Sequence, residues 1–265
     1  MQNAVVLGCG RSGTSMVAGL FAGAGYSMGR GVFAPNRGNP KGLFESREVN
    51  RINESILAPW PPISATRSRR SSWIGAWRPD YLRWLSAIPV EVEIGETRVS
   101  SGIERRIRRV VKRQPYCLKD PRFAYTLELW RPHLDDALLV CVFREPERTA
   151  ASIVREVRER PYLRGLVFDY AAALDVWLAM YRWILEKHAH SGRWLFVHAE
   201  QIVNGTAIAR LETETGAPLD HGFAEPELQS RSGPAGPSIE LDDRVRGIYR
   251  ELCKRADWDP DWRRT

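Results

Sequence analysis

The chain has 265 residues and a mass of 30.2 kDa, enough to bury about 75% of its unfolded surface around a core of its own. Its 43% hydrophobic and 27% charged residues exclude wholesale disorder, a collagen-like repeat and a coiled coil. Thirty-nine Lys+Arg against 32 Asp+Glu leave a formal charge of +7, which favours an anionic partner, whether nucleic acid, an acidic membrane face or a small polyphosphate, without choosing among them.

Ala4 to Leu7 reads as a buried strand that begins almost at Met1, leaving no room for a signal peptide, and no apolar run reaches the roughly 18 residues of a membrane helix. A glycine-rich turn and an apolar helix follow. Val49, Ile52 and Ile56 keep helical spacing, as do Ile103, Ile107 and Val110. Ser101 and Glu104 give the latter helix a capping-box pattern. Its other face holds Arg105, Arg106, Arg108, Arg109, Lys112 and Arg113, either a nucleic-acid surface or the commoner solvated basic face. Tyr116 to Leu118, Ala137 to Phe143 and Trp194 to Val197 are further strands, and Tyr170, Leu174, Trp177, Tyr181 and Ile184 mark the clearest helix. This alternation predicts an α/β fold with a mostly parallel central sheet.

Residues 58–72 and 224–238 are rich in Pro, Ser and Gly, as lids or linkers are. The strands on both sides belong to one sheet, so a single domain over 1–265 is expected, with a helical and loop insertion at about 58–115. Cys9, Cys117, Cys141 and Cys253 are scattered, which predicts reduced thiols in a cytoplasmic protein. His188 and His190, two apart, suit a solvated helix end better than zinc, and no metal site is expected.

The turn after the first strand, GCGRSGTS, aims backbone N–H groups and a helix dipole at one spot and calls for an anion. It allows three readings. Gly8, Gly10 and Gly13 spell a dinucleotide fingerprint, but no Asp or Glu occurs before Glu45, so an NADP-binding oxidoreductase would have to use Arg30. Gly8, Gly13 and Ser15 also fit a P-loop, yet Thr14 stands where the phosphate-binding lysine belongs. In the third reading the loop cradles a phosphosulfate. Arg11, Arg30, Arg37 and Lys41, with no acid in the first 44 residues, would then give a polyanion an unopposed field.

Four segments resemble the PAPS-dependent sulfotransferases, bacterial members and the tyrosylprotein branch above all. GCGRSGTS resembles the 5′-phosphosulfate loop, implying that Gly10, Arg11, Ser12, Gly13, Thr14 and Ser15 hold that end of the donor. NPKGLFE places Glu45 where the family carries an acidic catalytic base, and LKDPRF places Lys119 facing the transferring sulfonate. VFREPERTAASI resembles the 3′-phosphate motif, with Arg144 ending a strand, Pro146 two residues on and Ser152 eight residues on. A strand end delivering a planar guanidinium to a phosphate is sound chemistry in its own right. The histidine base of the cytosolic branch has no counterpart here, and its C-terminal R-K-G motif is absent, with Arg231 a conceivable substitute.

The resemblance implies a P-loop-like three-layer α/β/α fold, PAPS as co-substrate, PAP as product, no metal and no nucleic-acid partner. Glu45 has a competing role as dipole partner of the helix from Ser46, and Asp120 as a group that orients Lys119 or a loop. The acceptor is expected to be a small molecule or glycan, acidic or aromatic. Trp60, Trp73, Trp77, Tyr81 and Trp84 among Arg67, Arg69, Arg70 and Arg78 suit either stacking on it or a core.

Overall fold

The computed structural model describes residues 1–35, 40–60, 82–94, 100–164, 166–223 and 241–259. Four strands, β1 (Ala4–Leu7), β2 (Cys117–Lys119), β3 (Leu138–Phe143) and β4 (Trp194–His198), form an all-parallel sheet in the order β2-β1-β3-β4. Val5 pairs with Leu118 on one side and Leu139 on the other, and Val140 pairs with Leu195. These are the strands expected from sequence, with ends moved by a residue.

The strands are unbroken apolar runs because helices cover both faces of the sheet. Ala4, Val6, Val140, Val142 and Val197 pack against Val17, Leu20 and Phe21 of α1 (Thr14–Gly23) and against α7 (Ala199–Val203) and α8 (Thr206–Thr215). Val5, Leu7, Leu139, Cys141 and Phe143 face the other core. There they meet α2 (Arg47–Ile56), α3 (Ser101–Val111), α4 (Phe123–Trp130), α5 (Pro146–Glu159), α6 (Tyr170–Arg182) and α9 (Asp243–Ala256). The three-layer α/β/α arrangement is therefore present.

Of the 58–115 region, residues 61–81 and 95–99 lie outside the described residues, as do 224–240. Leu85 and Ile88 join the core, where the Trp183 indole donates to the Ile88 carbonyl at 2.9 Å and the Tyr125 hydroxyl to that of Ser86 at 2.6 Å. No helix among the described residues is long and apolar enough to cross a membrane. The four thiols are free and buried, and burial pushes those of Cys9, Cys117 and Cys141 well up.

Two local expectations are corrected. The cap of α3 is Ser100, whose extended backbone lets its hydroxyl accept from the Ile103 N–H at 3.4 Å. Ser101 is already helical, and Glu104 pairs with Arg108 at 3.6 Å instead of closing a box. His188 is not solvated. The chain after α6 widens into a π-helical turn, Trp183–His188, that packs on α4, leaving His188 2% exposed with its Nε2–H donated to the Ala124 carbonyl at 3.1 Å.

Burial, reinforced by the Arg131 guanidinium, lowers the His188 pKa to about 4. The unfolded imidazole titrates near 6.5, so as pH falls the unfolded chain binds the proton first. The stability contribution is complete above about pH 6.5 and is lost toward about pH 4, on the order of 3 kcal/mol. Urea midpoints compared at about pH 7 and about pH 4.5 should fall less for His188→Gln than for the native chain. Equal slopes would contradict this assignment.

Candidate active site

β1 leads to β2 on one side and the adjacent β3 leads to β4 on the other, so the connections leaving β1 and β3 diverge and open a crevice beyond the carboxyl ends of the strands. A cavity of about 740 Å³ lies there, within the roughly 300–1,000 Å³ typical of small-molecule sites. Its lining includes Gly10, Arg11, Gly13, Thr14 and Ser15 from the glycine loop, Glu45 and Asn50 around the start of α2, and Lys119 at the end of β2 with Arg122 beyond it. Arg144, Ser152 and Glu156 enter from the β3–α5 side. Groups expected at opposite ends of one donor thus open onto a single cavity.

The loop takes its shape from close approach. A Cβ on Gly8, at φ 136°, would fall onto the Val142 carbonyl oxygen, and one on Gly10 would come within 2.8 Å of the Trp84 ring. Gly13 caps α1 at φ 93° without a side-chain hydrogen bond, and although the Met16 N–H is taken by the Gly13 carbonyl at 2.9 Å, the Thr14 and Ser15 N–H groups have no such side-chain cap, an arrangement that suits an anion. Ser12 departs from its expected place. Its side chain is wholly buried, with Oγ 3.4 Å from Thr149 Oγ1, and is not part of the lining. It ties the loop to α5.

Arg11 makes a second tie, donating from Nε to Ser152 Oγ at 3.1 Å while Nη1 lies 3.7 Å from Glu156. Lys119, 3% exposed, donates to Ser15 Oγ at 3.2 Å and forms an ion pair with Glu45. The other Glu45 oxygen accepts from Asn50 Nδ2 at 3.3 Å, and the carboxylate is only 14% exposed. Arg144 follows β3 directly, 3.6 Å from Glu145, with its carbonyl accepting from the Trp177 indole at 3.3 Å. Of the four cations expected to give an unopposed field, Arg11 is answered by a carboxylate from later in the chain, Glu156, so the field is not unopposed at the loop itself.

Beneath the cavity floor the polar groups continue. Asp120, fully buried, accepts from Asn50 Nδ2 at 2.6 Å and from the Arg122 backbone N–H and Nη1 at 2.9 Å each. Arg122 Nε donates to Glu54 at 2.6 Å, and Glu54 also accepts from Arg83 Nη1 at 2.7 Å. Arg83 in turn donates to the Trp60 carbonyl at 3.0 Å. Burial alone would lower the Arg122 pKa, but Asp120 and Glu54 outweigh it and the net shift is upward. Asp120 reaches the cavity only through Asn50 and Arg122 and is not among the lining residues.

Other sequence expectations fare differently. Arg30 is exposed and outside the lining, which removes the side chain that an NADP site would need. Arg108 on α3 is paired with Glu104, and Arg113, just past its end, with Glu48. Trp84 lines the cavity and Trp60 packs on the core. Arg37, Arg67, Arg69, Arg70, Trp73, Trp77, Arg78, Tyr81 and Arg231 lie outside the described residues. Sequence reasoning missed Asn50, Arg122, Phe33 and Phe223. Arg122 stands in the quoted LKDPRF segment and Asn50 one turn into α2, but nothing in a single sequence ties either to Glu45.

The sequence matches the sulfotransferase family over residues 4–209. The chain belongs to that family. No curated protein matches the sequence. Among solved structures, this sulfotransferase is similar to the sulfotransferase domain of the Synechococcus PCC 7002 olefin synthase, at 15% identity and TM-score 0.53 over 95% of this chain and 94% of that one. It is similar to the sulfotransferase domain from the curacin biosynthetic pathway at 14% identity and TM-score 0.52, covering 98% and 99%. Sulfotransferase STF9 from Mycobacterium avium matches at 14% identity and TM-score 0.53, covering 97% and 77%. At such identities the likeness is one of fold, and it agrees with the layers described above.

The loop's dependence on close backbone approach is testable in this sulfotransferase. Gly8→Ala should cost at least about 2 kcal/mol in urea denaturation, since it adds a clash to a strained backbone. Gly25→Ala, also at positive φ but with nothing within 4 Å of the new Cβ, should cost about 1 kcal/mol. Equal losses would mean that β3 yields to the new methyl group.

Proposed function

We propose that this sulfotransferase takes its sulfonate from PAPS and delivers it by in-line displacement to an acceptor hydroxyl or amine, with Glu45 as the base. The observation that carries the reading is the convergence of the glycine loop, the Glu45–Lys119 pair, Arg144 and Ser152 on one cavity. The residues fit the donor. An uncapped, glycine-shaped helix N-terminus suits a 5′-phosphosulfate, and a guanidinium beside a hydroxyl-bearing helix turn suits a 3′-phosphate.

When bound, PAPS supplies an activated sulfuryl group on a phosphate leaving group. Lys119 at one Glu45 oxygen and Asn50 at the other hold the carboxylate toward the cavity, where it can accept the acceptor's proton. Protonation ends its attraction for Lys119. The ammonium, already bonded to Ser15 at the head of α1, is then freed to face charge building on the transferred group. Arg11 and the loop N–H groups stabilise that charge as preorganised donors, each typically worth about 10²- to 10³-fold in rate. Cationic side chains supply the charge stabilisation.

Two of the similar structures are domains from an olefin synthase and from the curacin biosynthetic pathway, which favours a biosynthetic small molecule as acceptor over a protein. Glu45→Gln should lower kcat by roughly 10²- to 10⁴-fold while leaving PAP affinity within a few-fold by calorimetry. Arg144→Ala should weaken PAP by about 10- to 100-fold. Full turnover in Glu45→Gln would transfer the proton to another base.

A further inference from the structure

We infer that the acceptor is an amphipathic anionic alcohol: a hydroxyl on an apolar body that also carries a phosphate or a carboxylate. This rests on the sulfonate-transfer reading above and names the substrate class of the same cavity. The wall that carries Glu45 is built from two crossing segments. Val32 pairs with Ser46 in an antiparallel bridge, and the Phe33 N–H donates to the Glu45 carbonyl at 3.0 Å, so Phe33 and Glu45 share that wall. Phe44, held at φ 54°, turns edge-on to Phe223 with ring centroids 5.7 Å apart. Both rings lie against Gly19 of α1. Met16 and Leu43 extend the apolar surface.

Cations sit on two of these rings. Lys41 Nζ lies 4.7 Å from the Phe223 centroid and donates to the Phe223 carbonyl at 2.8 Å, and the Arg47 guanidinium lies 5.1 Å from the centroid of Phe33. A ring face covered by a cation is no platform for stacking a sugar or an aromatic acceptor. It presents positive charge backed by hydrocarbon. Arg51, one helical turn beyond Arg47, also lines the cavity. None of these three belongs to the set assigned to the donor, which is Arg11, Lys119 and Arg144. The base side therefore holds cations outside the donor set, which suits an acceptor that brings an anion of its own.

The neutral hydrogen-bonding groups point the same way. Thr14, Ser15 and Ser152 serve the donor, and the Asn50 amide is divided between Glu45 and Asp120. Among the described lining residues this leaves Tyr162 and the Trp84 indole N–H as neutral polar groups. A sugar would lose water from several hydroxyls, each needing a replacement partner. A chain with one hydroxyl at Glu45, its body along Leu43, Phe44 and Phe223, and its anion near Lys41 and Arg47 needs none.

Calorimetric titration of the full chain tests this in two stages. PAP is titrated first. The PAP-loaded protein then receives hydroxyoctyl phosphate, hydroxyoctanoate, octanediol or glucose phosphate. At least one of the two anionic chain alcohols should bind about tenfold or more tighter than both octanediol, which lacks the charge, and glucose phosphate, which lacks the apolar body. The gap over octanediol should shrink with added salt and in Arg47→Ala. Octanediol binding as tightly as the anionic chains, glucose phosphate binding best, or no amphiphile binding to the PAP-loaded protein would overturn the inference. Failure of PAP itself to bind would overturn the donor reading, and this one with it, whereas PAP binding with a neutral or sugar preference removes the acceptor class alone.

Discussion

A cavity that gathers several cations at the ends of buried strands stays folded only if the buried positive charges are answered nearby. Here Glu156 faces Arg11, Glu45 faces Lys119, Glu145 faces Arg144, and Asp120 and Glu54 hold Arg122. Removing one partner from a buried pair typically costs about 3–5 kcal/mol, so Asp120 and Glu54, both buried against Arg122, belong to the fold as much as to the site. The arrangement also prepares the site for a polyanion. On the donor reading proposed above, a ligand's phosphates and sulfonate would take over cations that the protein's carboxylates hold in position.

The sheet order turns this electrostatic requirement into geometry. Because β1 sits between β2 and β3, its glycine loop emerges between the strand end that carries Lys119 and the one that carries Arg144. Gly8 allows the loop to lie against β3, and Ser12 and Arg11 bind it to α5. Asn50 then links Glu45 to the Asp120–Arg122–Glu54 series, which ends at Arg83 and the Trp60 carbonyl. The position of Glu45 is thus fixed by groups drawn from α2, the end of β2 and the segment that follows residue 81.

The strands and the main helices were legible because buried parallel strands leave unbroken apolar runs and covered helices leave a 3.6-residue period. The glycine loop and the strand-end Arg144 were legible because each needs particular residue types at fixed spacing. What stayed hidden depends on pairings far apart in sequence. That Glu156 answers Arg11, that His188 turns inward on a π-helical turn, and that Phe223 meets Phe44 are products of tertiary packing, invisible to local pattern. The α3 cap fell one residue early for a related reason: Ser100 and Ser101 are chemically equivalent, and only backbone conformation separates them.

The most direct measurement is a crystal structure of this sulfotransferase with PAP. The 5′-phosphate should rest on the N–H groups of Gly13 to Ser15 and the 3′-phosphate within hydrogen-bond reach of Arg144 and Ser152, with Glu45 and Lys119 beside the space left by the departed sulfonate. A nucleotide bound elsewhere, or held with either phosphate away from these two groups, would contradict the claim that the loop and the end of β3 grip one donor.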